Sequence, residues 1–181
     1  MMQYLRKLTF LLVLFFSDTL LGQIVASEDV FLCESTEVTL QATANGIDGT
    51  DTGISSDDIF GGVVNLGFNF EFYGNTYNQC VISSNNYLSF NTANAGAPSG
   101  WNIAAAVPNN FDAPMNAILC PWQDINPGVG GNIQYSLSGE SPNRVFTVTF
   151  CAIPMFSCID ICCTSQIKLF ETSNVIETHI S

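Results

Sequence analysis

LGFNFEFYGNTYNQCVISSNNYLSFN, Leu66–Asn91, places apolar side chains at alternate positions. Leu66, Phe68, Phe70 and Phe72 alternate with Gly67, Asn69 and Glu71, so an extended backbone here has one oily face and one wet face. Tyr73-Gly74-Asn75 supplies a turn, and Tyr77–Ser83 returns as the second arm of a hairpin. Asn85-Asn86 marks another turn before Tyr87–Asn91, which points Leu88 and Phe90 inward.

The same habit continues downstream. Asn94–Pro114 is loop-like, rich in Ala, Gly, Pro and Asn. Met115–Trp122 is an almost unbroken apolar run, as expected of a strand covered on both faces. Ile133, Tyr135 and Leu137 alternate with polar neighbours, as do Phe146, Val148 and Phe150. Ile167 and Leu169 flank Lys168, and Ile176 and Ile180 bracket Thr178. No helical spacing of apolar residues persists anywhere. Eight or nine short strands separated by Gly, Asn and Pro turns predict an all-β protein, an antiparallel β-sandwich or barrel.

Upstream the pattern fades. Glu37–Thr43 (EVTLQAT) alternates and is expected as a first strand, whereas Asn45–Asp58 is a polar stretch of turn chemistry. The first residues read as a secretory signal peptide over 1–22: Arg6 and Lys7, then the apolar run Leu8–Phe16, with small Gly22 at the cleavage position. That run is too short to span a bilayer, which needs about 20 apolar residues. We therefore divide the chain into a signal peptide (1–22), a lead-in with one strand and an acidic loop (23–62), and a β-sandwich domain (63–181). The last strand running straight to Ser181, together with an odd cysteine count, leads us to expect truncation of the domain at its C-terminus and further domains of the same longer polypeptide.

Without the leader, Arg144 and Lys168 face fifteen acids, a net charge of −13. Such a surface repels nucleic acid phosphates and anionic headgroups, which excludes nucleic acid partners. No later segment suits membrane insertion. In an exported chain Cys33, Cys80, Cys120, Cys151, Cys158, Cys162 and Cys163 are read as disulfide candidates, with no pairing derivable from their spacing.

The search for chemistry finds few anchors. Hydrolysis by a Ser or Cys nucleophile needs a base, and the single histidine, His179, falls on the face of its strand opposite Ile176 and Ile180. A glycosidase pair is arithmetically easy among fifteen acids and so carries no weight. Gly128-Val129-Gly130-Gly131 lacks the following helix that would bind phosphate. We expect no catalytic residues. Asp124, in Trp122-Gln123-Asp124-Ile125-Asn126-Pro127, reads as a turn aspartate accepting backbone N–H bonds, or as a calcium ligand. Asp48, Asp51, Asp57 and Asp58 are further calcium candidates, although they do not match the twelve-residue calcium loop; no other cofactor is expected. Trp101, in the long loop, and Tyr73, at a turn, are candidate binding aromatics for a protein or glycan ligand. Core packing is the expectation for Trp122.

Leu66–Asn91 resembles the nidogen-like extracellular domain, in which a phenylalanine-rich strand leads through a Tyr-Gly turn into a strand ending in Ser-Asn and an aromatic. AILCPWQDINPG, Ala117–Gly128, looks like the family's proline–tryptophan–acid motif, and NRVFTVTF and QIKLFETSNVIETHI look like its last strands. The wording is similar to that in secreted, gliding-motility-associated surface proteins of gliding bacteria that use type IX secretion. The resemblance covers roughly Asp51–Ser181. It implies a nidogen-like sandwich and a non-catalytic extracellular module of a secreted cell-surface protein, adhesive or structural in role. The alternative is a secreted carbohydrate-binding module assisted by calcium.

Overall fold

β4 (Phe60–Phe72) is the longest element of its sheet, and its alternation is real: Val64, Leu66, Phe68 and Phe70 are buried, while Asn65, Gly67 and Asn69 are exposed. The computed structural model describes residues 24–26, 42–44, 49–102, 106–107 and 114–181. It forms two compact units, 1–47 and 48–181. Within the first, β1 (Ile24–Ala26) pairs antiparallel with β2 (Ala42–Ala44). The expected signal peptide, Cys33, Asp48 and most of the expected strand Glu37–Thr43 lie outside the described residues.

The second unit is all-β. β4 pairs with β5 (Asn75–Ser83), β5 with β6 (Tyr87–Ser89), and β6 with β7 (Ala117–Leu119), giving a four-stranded antiparallel meander. The other sheet has five strands, ordered β11 (Ile176–Ile180), β10 (Cys158–Phe170), β9 (Val145–Met155), β8 (Asn132–Ser138) and β3 (Thr50–Asp51). All its pairings are antiparallel. The two sheets pack as a sandwich. Its core unites Leu66, Phe68, Phe70, Ile82 and Leu88 from one sheet with Ile133, Phe146, Val148, Phe150, Ile167 and Leu169 from the other. Each fully buried large side chain contributes roughly 1.5–3 kcal/mol to stability.

The first hairpin closes as the sequence indicates. Phe72 pairs with Asn75, leaving Tyr73 and Gly74 as a two-residue loop at φ 47° and 77°. Two positive φ angles in succession match the twist of the flanking strands.

The expected turn at Asn85-Asn86 forms, and both residues are buried. Two expectations change. Met115–Trp122 shrinks to the three-residue β7, and Met115 is exposed, because the backbone turns away on both sides of Ala117–Leu119. Part of the polar stretch before Val63 joins the sandwich: β3 completes the five-stranded sheet, and Thr52 donates from both N and Oγ1 to the Ile133 carbonyl (3.0 and 2.8 Å).

Arg144 clips the sheets together. Its guanidinium meets Glu171 through Nη2–Oε1 (2.6 Å) and Nε–Oε2 (2.8 Å), donates to the Gly67 carbonyl of β4 (2.7 Å), and lies over the Phe68 ring. The hydrogen bonds from Arg144 hold the Glu171 carboxyl down at about 2. No helix among the described residues is long and apolar enough to cross a membrane.

A candidate metal centre at the two sheet crossings

The chain passes between the sheets twice, and both crossings carry acids. The first, between β3 and β4, holds Asp57 and Asp58; the second, between β7 and β8, holds Asp124. The crossings run side by side. Asn126 Nδ2 donates to Asp57 Oδ2 (3.2 Å), and the buried Asn85 donates from Nδ2 to Asp58 Oδ1 (2.8 Å) while its Oδ1 accepts the Ile125 N–H (3.3 Å). Asp57, Asp58 and Asp124 each offer a carboxylate oxygen within 4.8 Å of the other two.

Asp124 is not the turn aspartate. Asn126 takes that part, accepting the Gly128 N–H at its Oδ1 (2.8 Å). The carbonyl of Asp124 accepts from Phe156 N (3.0 Å), and its Oδ1 is buried without a hydrogen-bond partner. An unpaired buried carboxylate oxygen is costly unless something cationic or protic faces it. Burial first, and then the Asp58 and Asp57 carboxylates, push Asp124 up to about 6. Burial and the Asp58 charge also raise Asp57, against the lowering effect of the Asp58 N–H. The cluster therefore resists carrying three negative charges by itself. Hard carboxylate oxygens at this spacing suit a divalent cation of the calcium type, which would relieve that repulsion.

Of the five calcium candidates in the sequence, the structure brings together Asp57, Asp58 and Asp124. Asp51 stands apart in β3, its Oδ1 accepting the Gly53 N–H (2.8 Å). Asp48 lies outside the described residues. Sequence reading missed Asn85 and Asn126, the amides that hold two of the carboxylates. The available signal was the polar run Ser83-Ser84-Asn85-Asn86 between apolar strands, of which Asn85-Asn86 was read only as a turn.

The aromatic candidates separate. Trp101 is exposed and follows a backbone fastened at two points: Ser99 N donates to the Asp58 carbonyl (2.8 Å), and Trp122 Nε1 to the Gly100 carbonyl (3.0 Å). Trp122 itself is buried with Phe60, Val81 and Tyr87. Tyr73 is exposed at the far end of the thirteen-residue β4, on the order of 40 Å along an ideal strand from Asp58. It belongs to a different surface.

Six cysteines are described and all are free thiols, so no disulfide stands among them. Cys80, Cys120 and Cys163 are buried, and Cys151, Cys158 and Cys162 are exposed. Burial pushes the Cys80 thiol up to about 12 and also raises Cys120. His179 is exposed on β11, with Nε2 at 3.2 Å from Glu177 Oε2.

A family model described as NIDO related matches residues 31–181. No curated protein and no solved structure matches the chain.

Proposed function

The chain belongs to the NIDO-related family, and on that premise we propose that it is a non-catalytic extracellular module of a secreted cell-surface protein, adhesive or structural in role. NIDO-related domains are typically extracellular and generally non-catalytic. The observation that carries the reading is the pairing of a rigid sandwich with a polar, acid-lined end, where two crossings meet around Asp57, Asp58 and Asp124 beside the loop bearing exposed Trp101. Such an end presents a contact surface on a stable support. Calcium held by the three carboxylates would fix both crossings, and with them the Ser99–Trp101 backbone. The gliding-motility role and further domains of one longer polypeptide belong to the same proposal.

The test is the native species recovered from the cell surface with an antibody to residues 48–181. A mass far above 19.6 kDa, and loss of surface attachment on deletion, are expected. A free species near that mass in the medium would defeat the surface-module reading. The exposed Trp101 beside the acid cluster favours one second reading, a calcium-assisted glycan binder. A glycan array run with and without chelator separates them, since binding lost on chelation supports the second.

A further inference from the structure

We propose that Asn85 is the joint of the cation site, passing occupancy at Asp57, Asp58 and Asp124 through a buried polar ring to the backbone that carries Trp101. The proposal rests on the cation reading above. Asn85 is fully buried, and its side chain and N–H are committed to three different segments. Nδ2 donates to Asp58 Oδ1 (2.8 Å) at the first crossing, and Oδ1 accepts the Ile125 N–H (3.3 Å) at the second. The backbone N–H of Asn85 donates to Ser83 Oγ (3.0 Å) at the end of β5. Ser83 Oγ in turn donates to Ser99 Oγ (2.9 Å), and Ser99 N returns to the Asp58 carbonyl (2.8 Å). The ring is closed, and it runs from Asp58 through Asn85, Ser83 and Ser99 back to Asp58. Ser83 and Ser99 are buried, whereas Trp101, two residues beyond Ser99, is exposed.

A second observation points to a ligand at this end of the molecule. Among the described residues two buried side-chain atoms have no hydrogen-bond partner, Asp124 Oδ1 and the Tyr87 hydroxyl. Tyr87 is wholly buried, and its hydroxyl lies near Ser83, Ser99 and the Gly100 carbonyl, close enough to Asp58 to feel its charge. The two orphans therefore flank the ring, one at the carboxylates and one at the serines. Buried polar atoms ordinarily find partners, so two orphans at one end mark where a ligand belongs. A dication drawing the Asp58 carboxylate toward Asp57 and Asp124 pulls on the oxygen that Asn85 holds. A bonded, buried ring has no slack in which to absorb that shift, so it reaches Ser99.

Hydrogen exchange on the full chain, with calcium titrated in and calorimetry reporting binding, tests this. Calcium should slow the amides of Ser99–Trp101 and of Ile125 about tenfold, half-maximally at the calorimetric midpoint. Asn85→Ala should lose the slowing at both places. Ser83→Ala cuts the ring on the far side of Asn85; that variant should still bind calcium and protect Ile125, but lose the calcium-linked slowing at Ser99–Trp101. Ser99→Ala cuts the same bond from the loop and keeps the test decisive if the other variants fail to fold. Calcium bound without any change at Ser99–Trp101, or a response undiminished in both serine variants, overturns the proposal. No calorimetric binding at all overturns the cation reading, and the proposal with it.

Discussion

Asp124 shows how the surroundings of a single carboxylate, rather than the motif it stands in, set its charge state. Its neighbour Asn126 binds the turn, so the carboxylate is left facing Asp57 and Asp58 with one oxygen unpaired. Because its folded pKa lies near 6, above the unfolded value of about 3.9, the folded state binds the extra proton between those limits. In the absence of divalent cations, stability therefore falls as pH rises through that window. Asp124→Asn should remove the slope and raise chelator-treated stability at pH 7 by on the order of 1–2 kcal/mol, measured by urea unfolding. With calcium added, the parent should gain stability and the variant should gain much less. The sequence singled out Asp124 through its motif. It could not reveal the buried oxygen, which depends on a second crossing more than sixty residues away.

At the scale of elements, strand periodicity carried most of the architecture. Leu66–Phe70, Phe146–Phe150 and Ile167–Leu169 fall on the core as alternation requires, because each belongs to a strand with one face against the opposite sheet. The Met115–Trp122 run misled for a physical reason: apolar residues there serve two clusters from a bending backbone, Ile118 and Cys120 facing one and Trp122 the other. Ile176 and Ile180 have the right parity but no opposing strand among the described residues covers them. Element ends are held by special backbone. Gly131, at φ 74° where β8 begins, would bring a Cβ to 2.5 Å from the carbonyl oxygens of Cys151 and Ala152. Gly67, at φ 83° within the irregular part of β4, would meet the flexible Leu137 Cδ2 at 2.5 Å. Backbone cannot yield as a leucine tip can. Gly131→Ala should cost about 2–4 kcal/mol and Gly67→Ala about 1–2 kcal/mol in thermal or denaturant unfolding.

At the scale of the whole molecule, the described cysteines divide by burial. Among the described residues three thiols lie in the interior and three on β9 and β10 at the surface. An alkylating reagent applied to the folded chain should modify Cys151, Cys158 and Cys162 rapidly and spare Cys80, Cys120 and Cys163 until unfolding, as peptide mapping would show. Export and cysteine number alone led to an expectation of disulfides. Burial, which composition cannot convey, distinguishes thiols that reagents reach from thiols that pack as small apolar groups. The net negative charge, by contrast, is a property of the molecule that composition states outright.

The route of the chain between its sheets also sets an order of assembly. β4–β7 and β8–β11 are local meanders, each able to zip from neighbouring hairpins, but β3 precedes both and joins the later one. Thr52 waits for Ile133, a partner 81 positions downstream. Closing a loop of that length is slow beside hairpin formation. In refolding followed by hydrogen exchange, the Thr52 amide should gain protection after those of β4 and β5. Asp57 and Asp58 would then meet Asp124 only as the last closure is made, so that cation affinity would mark the finished fold rather than any intermediate.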